Sequence, residues 1–187
     1  MFNISRYNKR LFVVDNFYQD PEKVREFALQ QQYTADENFY KGLRSNTKFL
    51  FPGTKTAFEN IIGQKIVKWE EHPANGSFQI TSSENPQVYH CDSQTWAGVV
   101  YLTPNAPVAA GTRTHRSLKD GSRHGAEVGD DTFSTGFYDS HQFETVDNVG
   151  NIFNRLVIFN GQLIHSAGPY FGNHYTNGRL VHLFFFD

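Results

Sequence analysis

The sequence predicts a mainly β, α+β fold in which N-terminal helices pack on the outside of a sheet. Three observations lead there. The chain has 187 residues, the size of one domain, and no linker-like break divides it. Aromatic residues make up 16%, with 18 Phe and 9 Tyr, so there is ample apolar surface for a core. From residue 77 onward the apolar spacing changes from a helical period to short β-branched and aromatic runs.

The elements follow in order. Leu11 to Phe17 reads as a short strand. Asp20-Pro21 opens a helix, with an N-cap followed by proline at the first helical position, and Val24, Phe27 and Ala28 supply its apolar face. A second helix is expected from Lys55 to Trp69, with Phe58, Ile61, Ile62 and Ile66 on one side and Gly63 inside the span. Ser77 to Thr81, Trp96 to Thr103, Arg155 to Asn160 and Arg179 to Phe186 are the core strands, each bounded by Gly, Pro, Asn or Ser. The FFFD ending reads as a strand buried on both sides. Between Arg113 and Asn151 the chain is polar and glycine-rich with little period, which reads as a long loop covering a site.

Bulk properties exclude several classes. A net charge of −2 and a pI near 6.4 leave no basic excess, and no Lys/Arg cluster forms a nucleic-acid track. The opening MFNISRYNKRLFVVDNF lacks an apolar export segment, and no run approaches 18 apolar residues, so a cytoplasmic location away from membranes is expected. A single cysteine, Cys91, fits a reducing compartment and rules out a Cys-based zinc site. There is no G-x-S-x-G nucleophile turn, no phosphate-binding G-x-x-x-x-G-K-[ST] loop and no H-E-x-x-H helix.

The chemistry points to VYHCDSQTWAGVVYLTP. In an extended chain residues i and i+2 face the same side, so His90 and Asp92 can address one metal while Cys91 turns away. His165, at the end of the strand-like run RLVIFNGQLIH, can supply a third ligand from a neighbouring strand. Two imidazoles and one carboxylate on one face of an octahedral ion leave three positions for a bidentate co-substrate and O₂. With 8 His and 10 Asp, chance alone supplies roughly 0.4 H-x-D triplets in such a chain, so the triplet carries weight only in its context. That context is ordered: strand, H-x-D, apolar strand ending in Thr-Pro, Gly111-Thr112, a long loop, a strand ending in His165, then a strand bearing Arg179.

This order resembles the 2-oxoglutarate/Fe(II)-dependent oxygenase superfamily, and most nearly its prolyl-hydroxylase-like members, over residues 77 to 187. The resemblance implies a double-stranded β-helix, a jelly roll with the metal near one open end. It implies Fe(II) held by His90, Asp92 and His165, 2-oxoglutarate and O₂ as co-substrates, and hydroxylation of a small-molecule or peptidyl substrate with release of succinate and CO₂. It also implies a basic residue on the last core strand that grips the far carboxylate of 2-oxoglutarate, and Arg179 stands there, 14 residues after His165. Physical reasoning agrees: Arg179 shares a face with Val181, Leu183 and Phe185, and a buried guanidinium needs an anion. The hydroxyl usual two residues after the arginine is replaced by Val181, so Tyr101 or Thr81 is expected to assist. Gln79 shares its strand face with Thr81 and is a further candidate for the co-substrate site.

The remaining residues have blander readings. His72, His115, His124, His141 and His174 lie in loop-like contexts where solvent exposure is expected, although His115 and His124 could touch substrate from the covering loop. Cys91 reads as a small buried thiol, Trp96 and Tyr101 as core aromatics, and Arg113 and Arg155 as alternative carboxylate grips without the strand position of Arg179. Two rival functions remain. A cupin-like metal-binding jelly roll with another activity would not need Arg179, and a non-enzymatic binding protein would be indifferent to Fe(II).

Overall fold

The computed structural model describes residues 9–36, 40–129, 132–133 and 136–187. Its frame is a seven-stranded antiparallel sheet facing a three-stranded one, with two helices on the outside of the larger sheet. The larger sheet comprises β1 (Leu11–Val14), β2 (Tyr33–Ala35), β3 (Leu43–Ser45), β4 (Phe78–Thr81), β5 (Trp96–Tyr101), β8 (Leu156–Asn160) and β10 (Arg179–Phe186). Its spatial order is β1-β8-β5-β10-β4-β3-β2. The smaller sheet, in order β7-β6-β9, comprises β6 (Thr112–Ser117), β7 (Phe143–Val149) and β9 (His165–Ala167). This is the jelly-roll architecture expected from the sequence.

Helix α1 (Pro21–Leu29) forms as its cap signals dictate: Asp20 Oδ1 accepts from the Lys23 backbone N–H, and Pro21 occupies the first turn, where no N–H partner is needed. Helix α2 (Thr54–Ile62) is shorter than the span from Lys55 to Trp69 that the apolar spacing suggests. Gly63 ends it in the left-handed conformation (φ 77°), and its N–H returns to the Glu59 carbonyl. Ile66 and Trp69 remain in the core without being helical, because Val67 and Lys68 hydrogen-bond the Asp187 carbonyl at the end of the chain.

Strand β10 organises both cores. Its alternation places Leu180, Phe184 and Phe186 on the outer face, where Phe58 of α2 and Trp69 pack against them. Val181 and Leu183 face inward with Ala97, Val99, Val157 and Phe159. Burial on both faces, as the FFFD ending suggests, follows from being central in a sheet covered by helices on one side and by a second sheet on the other.

Two readings require correction. The stretch from Arg113 to Asn151 is not one long loop: its ends are β6 and β7, paired through Thr112↔Val149 to Ser117↔Phe143 with a register shift after Thr114. TRTHRS and FETVDNV carry polar residues on both phases of the alternation, which hides the period of two. Only the segment from 118 to 142 connects them, and its described part is tied down by the Ile164 N–H to Arg123 carbonyl bond and by Val128 and Phe133 packing near Tyr89, Phe143 and Ile164. Likewise RLVIFNGQLIH is not a single strand. The chain turns after Asn160, and His165 begins β9 in the other sheet. Among the described residues no helix is long and apolar enough to cross a membrane.

Candidate metal centre

The three sequence-predicted ligands converge. The ligand atoms of His90, Asp92 and His165 all lie within 4.8 Å of one another. His90 Nε2 is 3.5 Å from Asp92 Oδ1, and His165 Nε2 is 3.5 Å from Asp92 Oδ2. Backbone pairing creates this meeting. His90 and His165 form an isolated antiparallel bridge, exchanging N–H···O bonds of 3.1 and 2.8 Å, and the Asp92 N–H donates to the Gly161 carbonyl at 2.8 Å. Cys91 faces the other way, against the Tyr89, Phe143 and Ile164 cluster, where burial pushes its thiol up to about 11.

The donor set fits a cation. His165 Nδ1 stands 2.8 Å from the Leu163 carbonyl, so in the neutral ring that nitrogen carries the proton and Nε2 presents a lone pair to Asp92. His90 Nδ1 faces the Val88 carbonyl at 3.3 Å in the same manner. Asp92 Oδ2 is buried without a hydrogen-bond partner. Burial, then the neighbouring His90, moves the His165 pKa down to about 4, against the opposing pull of Asp92. A neutral His165 is thus ready to ligate near neutral pH. Two imidazoles and a carboxylate form an N/O donor set suited to a divalent first-row ion.

These residues line a cavity of about 420 Å³ between the sheets, walled on one side by Ala97, Val99, Phe159 and Leu183. Arg179 lines it as well. The side chain is only 6% exposed, its Nε donates to the Ala110 carbonyl at 3.1 Å, and its guanidinium lies 5.4 Å from the Tyr101 ring and 5.9 Å from the Tyr170 ring. No carboxylate among the described residues pairs with it.

The three companions are distributed differently. Tyr101 is fully buried behind Arg179 and bonds Thr112 Oγ1 at 2.7 Å. Thr81 is the register partner of Arg179, with a buried Oγ1 that has no hydrogen-bond partner, and it lines a neighbouring cleft instead. Gln79 reaches the cavity, accepting from Arg44 Nη2 at 3.0 Å and donating to the Lys41 carbonyl at 2.7 Å. The alternative grips lie elsewhere: Arg155 is engaged with Asp15, and Arg113 does not line the cavity.

Two histidines read as loop residues facing solvent are placed differently. His115 lies in β6, 2% exposed, with Nε2 2.8 Å from Ser166 Oγ, and burial lowers its pKa to about 4. His72 lines the cavity. Tyr40, Arg44 and Tyr170 are further cavity residues that the sequence did not single out. Three-residue strands such as β3 are too short to display an alternation, so only the register Arg44↔Gln79 reveals that Arg44 joins the inner face.

Comparison with known proteins adds the following. A family model described as "Family of unknown function (DUF6445)" matches residues 1–186. No curated protein matches the sequence. Among solved structures, HygX from Streptomyces hygroscopicus, with nickel, 2-oxoglutarate and hygromycin B bound, superposes with a TM-score of 0.64 at 10% identity, covering 92% of this chain and 80% of HygX. The non-haem α-ketoglutarate-dependent epimerase SnoN of nogalamycin biosynthesis gives 0.52 at 14% identity, over 96% and 77% of the two chains. A prolyl hydroxylase from Trichoplax adhaerens, in complex with a peptide fragment of hypoxia inducible factor, gives 0.50 at 14% identity, over 95% and 83%. At these identities the likeness is one of fold: the chain has the architecture of the 2-oxoglutarate-dependent oxygenases.

Proposed function

The chain belongs to DUF6445, a family of unknown function, and from that premise we propose that it is an Fe(II)- and 2-oxoglutarate-dependent dioxygenase, a hydroxylase of a small molecule or an amino-acid residue. The observation that carries this reading is the pairing of a buried, hydrogen-bond-free Asp92 Oδ2 beside two Nε2-presenting imidazoles with an uncompensated Arg179 in the same cavity. A cupin-like metal site needs only the first half of that arrangement. A non-enzymatic binding protein needs neither. The nickel and 2-oxoglutarate in HygX lend support by analogy of fold.

His90, Asp92 and His165 would hold the ion, their Nδ1 contacts to Val88 and Leu163 fixing ring orientation. The chemistry that Fe(II) supplies when bound is O₂ activation coupled to oxidative decarboxylation of the 2-oxo acid to succinate and CO₂. Arg179 offers a planar fork for the co-substrate's far carboxylate, held in place by Ala110, Tyr101 and Tyr170. The apolar wall of Ala97, Val99, Phe159 and Leu183 keeps water and stray hydrogen donors away from the reacting centre. In this reading the whole chain is one domain, the described part of the segment 118–142 reaches the cavity through Phe137, and the lone thiol suits a cytoplasmic setting.

The test is an anaerobic titration with Fe(II) and then 2-oxoglutarate, followed by exposure to oxygen and a succinate assay. His165→Ala should abolish ion binding. Arg179→Ala should retain the ion and weaken 2-oxoglutarate by about 10- to 100-fold, the worth of a charge-assisted hydrogen-bonded pair. Succinate production unaffected by either change would overturn the proposal.

A further inference from the structure

The cavity contains a second guanidinium that the proposed co-substrate does not use. Arg44 of β3 lies in one cross-strand row with Gln79, Val181 and Tyr101, so it shares the inner face with Arg179, two strands away across β4. Arg44 is fixed rather than free to swing: the guanidinium stacks 4.1 Å from the Tyr40 ring centroid, and Nη2 donates to Gln79 Oε1. The Gln79 amide is itself oriented by its bond to the Lys41 carbonyl. Arg44 Nε is buried with no acceptor, and no described carboxylate forms an ion pair with the side chain. Holding a partly desolvated guanidinium with its Nε unsatisfied is costly unless an anion arrives.

His72 stands on the same cavity, its ring 4.5 Å from that of Phe185. The Ala74 N–H donates to its Nδ1 at 3.2 Å, so the neutral ring carries its proton on Nε2 and offers a donor. Burial, in part countered by Asp92 and reinforced by Arg44, lowers its pKa. Asp92 is the only carboxylate among the described residues lining the cavity, against Lys41, Arg44 and Arg179. A divalent cation and a dianionic co-substrate cancel each other and leave that positive excess in place. One carboxylate of 2-oxoglutarate belongs at the metal and the other at Arg179, so Arg44 is left for a different molecule.

We propose that Arg44, with His72 beside it, forms a second anion subsite, and that the primary substrate carries a carboxylate or phosphate group that docks there. This rests on the oxygenase reading and names its substrate class.

The experiment uses the full chain loaded anaerobically with Fe(II) and saturated with 2-oxoglutarate, so that Arg179 is occupied. Inorganic phosphate, N-acetylglycine and its neutral amide are titrated by calorimetry. Both anions should bind and the amide should not. Arg44→Gln should weaken the anions by about tenfold or more, while changing 2-oxoglutarate affinity by less than about threefold. Arg179→Gln should do the reverse, and Arg44→Lys, which keeps the charge, should fall between wild type and Arg44→Gln. Anions that bind Arg44→Gln as well as wild type overturn the subsite. So does an Arg44→Gln variant that loses 2-oxoglutarate as Arg179→Gln does, because Arg44 would then be the co-substrate grip. Failure of the metal-loaded wild type to bind 2-oxoglutarate overturns the oxygenase reading instead. Phosphate titration of wild type against Arg44→Gln without co-substrate then decides the subsite alone.

Discussion

His165 Nε2 and Asp92 Oδ2 stand 3.5 Å apart, each presenting a lone pair to the other. The imidazole proton is committed to the Leu163 carbonyl, so without a cation this approach is repulsive. Asp92→Asn replaces the carboxylate by a group that can donate to Nε2. The expected outcome is an unloaded thermal midpoint no lower than wild type, together with loss of Fe(II)-induced stabilisation. Affinity should fall by more than the about 10- to 100-fold that changes outside the ligand set cost. Calorimetric melts with and without Fe(II) check this, and a variant that melts far below the unloaded wild type would point to a purely structural carboxylate.

The pairing of His90 with Asp92 was legible in the sequence because alternation is a local property: the two share a side and Cys91 does not, whereas His165 joins them from β9 of the other sheet and not from the end of one continuous strand. Arg179 was legible for the same reason, as the polar member of an apolar strand face. The second half of the site was not. Arg44 and His72 reach the cavity through the pairing of β3 with β4 and through an irregular segment after α2, and neither leaves a periodic trace. The burial of His115 was hidden by the polar sequence of β6, whose inner positions include Thr112 and Thr114. The early end of α2 depended on Gly63 acting as a cap, which apolar spacing alone does not register.

Gly161 is expected to control the Asp92 carboxylate. A methyl group there would stand 2.9 Å from the Gln94 carbonyl oxygen and 3.2 Å from both Cβ and Oδ2 of Asp92. The backbone has little room to retreat, because the Gly161 carbonyl accepts the Asp92 N–H and its own N–H donates to Thr95. Gly161→Ala should therefore destabilise by about 1–3 kcal/mol as an overpacked site, and should weaken Fe(II) by about tenfold or more by displacing the ligand oxygen. Gly129→Ala, where nothing lies within 4 Å, is the matched control. Equal metal affinity in the two variants would contradict this role.

His182 sets an acid limit on the fold that is separable from the candidate metal centre. It lies on the outer face of β10, fully buried, with Nδ1 accepting from Tyr18 Oη at 2.7 Å and Nε2 donating to the Gly76 carbonyl at 3.1 Å. Burial lowers its pKa from 6.5 to about 3. Between those values the unfolded chain takes up a proton that the folded chain refuses. Stability contributed by the neutral ring is thus complete above pH 6.5 and is lost as pH falls toward 3, by up to about 1.4 kcal/mol per pH unit. Replacing the ring by an amide, as in His182→Gln, removes this proton from the balance while keeping a polar partner for Tyr18. Denaturant unfolding from pH 7 to 4 should then show a pH slope shallower by about one proton, whatever the variant's stability at pH 7. An unchanged slope would mean that His182 carries its proton within the fold, in conflict with the pKa lowered by its burial.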